Sequence, residues 1–102
     1  MVLLEFSIYP IGKGESLSRY VSRAVEIISK SGLSYKVGPM GTAIEGDLDE
    51  VLDVIRKCFN AMKRDCHRID FHIKGDYRKG RRGAIDGKVR SLEKKLKHPL
   101  KK

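Results

Sequence analysis

The chain has 102 residues, 40% of them apolar, which gives room for one core but not two, and it has no apolar run long enough to span a membrane. Two cysteines, Cys58 and Cys66, are too few for a disulfide framework, so reduced thiols and a cytoplasmic location are the expectation. The net charge of +9 divides into −3 over residues 1–55 and +12 over residues 56–102, so a polyanion would meet the second half and a cationic or neutral ligand the first.

Val2, Leu4, Phe6 and Ile8 alternate with Leu3, Glu5, Ser7 and Tyr9 as far as Pro10, the period of a half-buried strand. This apolar start reads as a strand rather than a signal peptide, because it carries Glu5 and lacks a basic leader. A glycine-bearing turn, Ile11 to Gly14, leads to Ser16 as a helix N-cap. Leu17, Tyr20, Val21, Ala24, Ile27 and Ile28 then recur at three- and four-residue spacing, and Gly32 stops the helix. Ser34 to Val37 and Thr42 to Gly46, joined by Gly38, Pro39, Met40 and Gly41, form a hairpin.

Asp47 or Asp49 opens a second helix, whose buried stripe is Val51, Ile55, Cys58 and Met62 with Leu52 and Phe59. Ile69, Phe71 and Ile73 alternate with Asp70, His72 and Lys74 in a fourth strand, and Gly75 to Gly83 reads as a basic loop. Ile85, Val89, Leu92 and Leu96 give a last amphipathic helix, followed by a basic tail over 99–102. The order is β-α-β-β-α-β plus a C-terminal helix: an α+β, ferredoxin-like βαββαβ sandwich, one domain over 1–98. Core candidates are Val2, Leu4, Phe6, Ile8, Ile44, Ile69, Phe71 and Ile73, and the open sheet face carries Glu5, Ser7, Tyr9, Glu45, Asp70, His72 and Lys74.

Few residue groupings carry chemistry. Cys58, Cys66, His67 and His72 lack the twice-paired spacing of a structural zinc site, and Cys58 falls on the apolar stripe, so no metal is expected. No nucleophile elbow is present, and the run from Lys74 to Gly83 is not a phosphate-binding loop. Glu5 and Glu45 are the one carboxylate pair that neighbouring strands could bring face to face. The basic second half is compatible with a nucleic-acid-binding domain, the alternative reading. An RNA-recognition motif would need stacking aromatics on its strands, and RIDFHIKG offers only Phe71, on the core parity.

The strings EFSIYPIGKGESLSRYVSRAVEIISKSGLSY from Glu5, GPMGTAIEGDLDEVLDVI from Gly38, and IKGDYR from Ile73 resemble the small thiamine-binding protein family, the YkoF-like group. The likeness runs from Leu3 to about Glu93, and its core is P-x-G, S-x-S-x-Y-V, S-G-L-x-Y and P-M-G-T-x-I-E-G in that order. It implies a non-catalytic, homo-oligomeric, ferredoxin-like domain, a dimer or tetramer, that binds thiamine or its hydroxymethylpyrimidine portion and has no cofactor of its own. Thiamine carries a thiazolium cation and an aminopyrimidine edge, which call for aromatic, carboxylate, hydroxyl and backbone partners. Tyr9, Tyr35, Thr42 and Glu45 are of those types. Carried over by motif are Thr42, Glu45, Tyr20, Met40, Asp76 and Arg78, with Tyr20 better read as core. The candidate ligand-binding residues are therefore Ser7, Tyr9, Tyr35, Met40, Thr42, Glu45, Asp76 and Arg78. The chain departs from the family pattern at Phe59 and Asn60 and at Lys74 and Gly75.

Overall fold

A computed structural model of the chain describes residues 1–14 and 17–80, with residues 83, 85, 95 and 96. The expected Ser16 cap, most of the expected C-terminal helix and the basic tail lie outside the described residues. The elements are β1 (Val2–Ile11), α1 (Leu17–Ser29), β2 (Ser34–Val37), β3 (Thr42–Gly46), α2 (Leu48–Lys63) and β4 (Arg68–Tyr77). Four antiparallel strands lie in the order β2-β3-β1-β4, the ferredoxin-like arrangement read from the sequence. Among the described residues no helix is long and apolar enough to cross a membrane.

The even-numbered residues of β1 face the helices: Leu4, Phe6 and Ile8 are buried with Ile44 of β3. Tyr20, Ala24 and Ile28 come down from α1, and Val51, Val54, Ile55, Cys58 and Met62 from α2. The 0% exposure of Cys58 places it in the core as expected, with its Sγ 3.6 Å from the Ala24 carbonyl oxygen where the helices touch. Burial pushes its thiol up to about 11, so it stays protonated and inert at neutral pH. Asp47 precedes α2 in an extended conformation, and its carbonyl accepts the Val51 N–H. Gly32, at φ +82°, turns the chain out of α1 while Ser31 Oγ donates to the Ile28 carbonyl.

Several expectations are corrected. Phe71 and Ile73 keep the helix-facing parity, pairing with Ile8 and Phe6, yet remain 47% and 43% exposed. β4 is an edge strand, and the Phe59 ring packs against Phe71, edge-on at 6.0 Å. Gly75, Asp76 and Tyr77 belong to β4 rather than to a loop, because they pair with Leu4, Leu3 and Val2. Gly75 serves packing there: a Cβ at that position would stand 3.0 Å from the Leu4 side chain. Leu52 is exposed, one helical step off the stripe that Val51 and Ile55 define. Glu5 and Glu45 do not oppose each other, since Glu5 pairs with Ala43 and Glu45 with Leu3.

Candidate functional site

β1 is ten residues long and β3 five, and Phe6 is the last β1 residue with a β3 partner, Thr42. Beyond it, from Ser7 to Ile11, β1 pairs among the described strands with β4 alone. The place a longer β3 would occupy is open, and the hairpin turn 38–41 curls beside it. Gly41 makes that curl possible, because a Cβ there would meet the Phe6 carbonyl oxygen at 3.2 Å and Glu5 Cγ at 3.3 Å. The result is a cavity of about 590 Å³, within the usual range for small-molecule sites.

Its walls come from four elements. β1 contributes Glu5 to Tyr9 in sequence, and the turn contributes Gly38 to Gly41 with Val37 and Thr42 on either side. α1 contributes Leu17, Val21, Ala24, Val25 and Ile28, and β4 contributes His72. Leu17 and Val21 were expected in the core but are half-exposed, since the part of the α1 stripe nearest the cavity faces it instead of sheet.

Of the candidate residues, Ser7, Tyr9, Met40 and Thr42 line this cavity. Tyr35, Glu45, Asp76 and Arg78 do not. Thr42 and Glu45, three apart in one strand, lie on opposite sheet faces: Thr42 pairs with helix-facing Phe6 and Glu45 with outward Leu3. Both are only 5% exposed. Tyr35 pairs with Ile44, Asp76 pairs with Leu3, and Arg78 follows the end of β4. Met40 projects from the turn at 84% exposure. Tyr20 is buried, with the guanidinium groups of Arg19 and Arg23 about its ring at 5.3 and 5.2 Å. Sequence reasoning missed His72 and the α1 wall; the signal for the cavity was the excess length of β1 over the hairpin arms.

At one rim, Tyr9 Oη donates to Asp70 Oδ2 at 2.9 Å, and His72 Nε2 lies 3.5 Å from Asp70 Oδ1. The Tyr9 and His72 rings stack with centroids 6.4 Å apart and planes 20° apart. Hydrogen bonding to the Asp70 carboxylate raises the Tyr9 phenol above its ordinary value. Tyr9 therefore keeps its proton, donates it in a hydrogen bond to Asp70, and offers its ring to the cavity. Among the described lining residues Glu5 is the one carboxylate and His72 the one basic side chain, and none is Lys or Arg. Such a lining is apolar with a few placed polar groups and favours a cation over an anion. Burial raises the Cys66 thiol, so neither cysteine is an activated nucleophile. Among the described residues no group of three or more His, Cys, Asp or Glu side chains is placed to hold a metal ion.

A family model described as thiamine-binding protein matches residues 4–93. The chain belongs to the thiamine-binding protein family. This family's name denotes binding rather than catalysis. A UPF0045 protein of Methanocaldococcus jannaschii is 37% identical over 91 residues, covering 89% of this chain and 91% of that protein. Its crystal structure superposes with a TM-score of 0.82 over 89% of this chain and 94% of that one. A UPF0045 protein of Mycobacterium tuberculosis is 35% identical over 99 residues, covering 96% and 97% of the two chains. A structure from Thermotoga maritima, provisionally assigned to thiamine biosynthesis or salvage, is 27% identical with a TM-score of 0.79, covering 89% of this chain and 97% of that one. Within the thiamine-binding family fold, the outward face of β4 carries Asp70, His72, Lys74 and Asp76, so that strand presents no Phe, Tyr or Trp there, and its one aromatic, His72, is stacked on Tyr9.

Proposed function

We propose that this member of the thiamine-binding family binds thiamine, or its hydroxymethylpyrimidine portion, without catalysis, in the cavity beside the free end of β1. The carrying observation is the makeup of that cavity: stacked Tyr9 and His72, the Ser7 and Thr42 hydroxyl groups and the Glu5 carboxylate, with no Lys or Arg among the described lining residues. In this reading the thiazolium cation lies toward the Tyr9 ring and Glu5. Ser7 and Thr42 meet the polar edge of the pyrimidine, and Met40 folds over the mouth as an adaptable apolar cover. Tyr35, Glu45, Asp76 and Arg78 stand outside the cavity and are assigned no contact. The protein acts in the cytoplasm as a homo-oligomer in this proposal, supplying or buffering a thiamine-type ligand.

Calorimetry on the full chain tests the site. Val21 is 40% exposed and lines the cavity from α1, so Val21→Trp fills the cavity with little effect on the core. Thiamine binding should fall more than tenfold in this variant while the melting temperature holds. In Thr42→Val, loss of one neutral hydrogen bond should weaken binding roughly two- to tenfold. Unchanged affinity in Val21→Trp would place the ligand elsewhere.

A further inference from the structure

The end of β1 that β3 does not reach presents main-chain groups as well as side chains. In an antiparallel ladder the N–H and C=O of one residue point to the same side, and successive residues point to opposite sides. Two observations fix which residues point where. Pro10 has no N–H, yet β1 pairs with β4 on through Ile11 and Arg68, so Pro10 occupies a position whose nitrogen faces away from β4. The Phe6 carbonyl oxygen lies beside Gly41, on the hairpin side. Phe6, Ile8 and Pro10 share that parity, so the N–H and C=O of Ile8 face the space that β3 vacates. Ile8 lines the cavity, and among the described residues no main-chain bond outside the ladders reaches it.

We infer that the Ile8 main-chain N–H and C=O form a strand-like docking edge for a planar heterocycle with a ring-nitrogen acceptor next to an amino donor. The ring nitrogen accepts from Ile8 N–H and the amino group donates to Ile8 C=O, so the ligand takes the place of the missing β3 residue. A 4-aminopyrimidine has this edge. The inference rests on the binding reading above and adds the group that selects the ring. It also accounts for the cavity sitting at a strand end: a backbone pair held by the β4 ladder is already oriented, so little ordering cost falls on binding.

The test is a two-dimensional amide spectrum of the full chain, titrated with 4-amino-5-hydroxymethyl-2-methylpyrimidine and with its analogue lacking the 4-amino group. Without ligand, the Ile8 amide should exchange with solvent faster than that of Phe6, which faces β3. With the aminopyrimidine it should shift downfield and become protected. The analogue should bind roughly two- to tenfold more weakly, as expected for one neutral hydrogen bond. Binding that leaves the Ile8 amide unmoved and unprotected would overturn the docking edge alone and leave the proposed function standing. No binding of thiamine or of either pyrimidine would overturn both.

Discussion

Arg23 shows how much one half-buried side chain can organise. From α1 its Nη1 donates to the Ala61 carbonyl at 2.9 Å and to Asp65 Oδ1 at 2.8 Å, while Nη2 donates to Asp65 Oδ2 at 3.1 Å. The two-pronged contact pins the C-terminal end of α2 to α1 across the layer that covers the sheet. Hydrogen bonding to Arg23 lowers the Asp65 carboxyl from 3.8 to about 2. A folded-state pKa below the unfolded one gives stability that is complete above about pH 4 and is lost as pH falls toward about 2. Melting temperature followed from pH 5 to 2 should therefore drop less in Arg23→Ala than in the parent, the two curves converging at the acid end. Parallel curves would show that the pair contributes nothing to acid sensitivity. The residue scale was partly legible in the sequence: the period of the chain placed Cys58 and Tyr20 in the core, whereas no spacing rule links Arg23 to Asp65.

At the scale of elements, β4 is the long exposed edge. Its ten residues pair with β1 on one side and with no described strand on the other. Phe71, Ile73 and Tyr77 line its helix-facing side and are all more than 40% exposed. A long free edge with apolar neighbours invites pairing with another chain unless something covers it. A second copy is the commonest partner, since closed twofold contacts dominate soluble assemblies. Light scattering at micromolar concentration should report a dimer or tetramer; a mass of 11.6 kDa would contradict this. Strand parity was legible throughout, because alternation alone assigns each residue to a face. Parity also separates Thr42 from Glu45, three positions apart, although shared motif membership had grouped them. Coverage was not legible: Phe71 and Ile73 have the right parity for the core, but an edge position leaves both more than 40% exposed. Gly75 read as a loop signal because a glycine that makes room for Leu4 looks, in one dimension, like a glycine that turns the chain.

At the scale of the whole molecule, the cavity is a consequence of unequal lengths. A ten-residue β1 beside a five-residue β3 leaves half a strand with a partner on one side only. The α1 stripe and the hairpin turn wall the gap that results. The fold order was legible because each element carries its own period and its own stop signals. The cavity left only the excess length of β1 as a signal, since its walls meet only once register sets the end of β3 against the middle of β1. The charge division read from the sequence persists in the site: the cavity draws on the acidic half, apart from His72, and no described lining residue is a Lys or Arg of the kind a diphosphate group needs. The most direct test of the account is a calorimetric comparison of thiamine with thiamine diphosphate on the full chain. Thiamine should bind one per subunit and at least as tightly as the diphosphate. No heat with thiamine, or a diphosphate that binds more tightly, would contradict it.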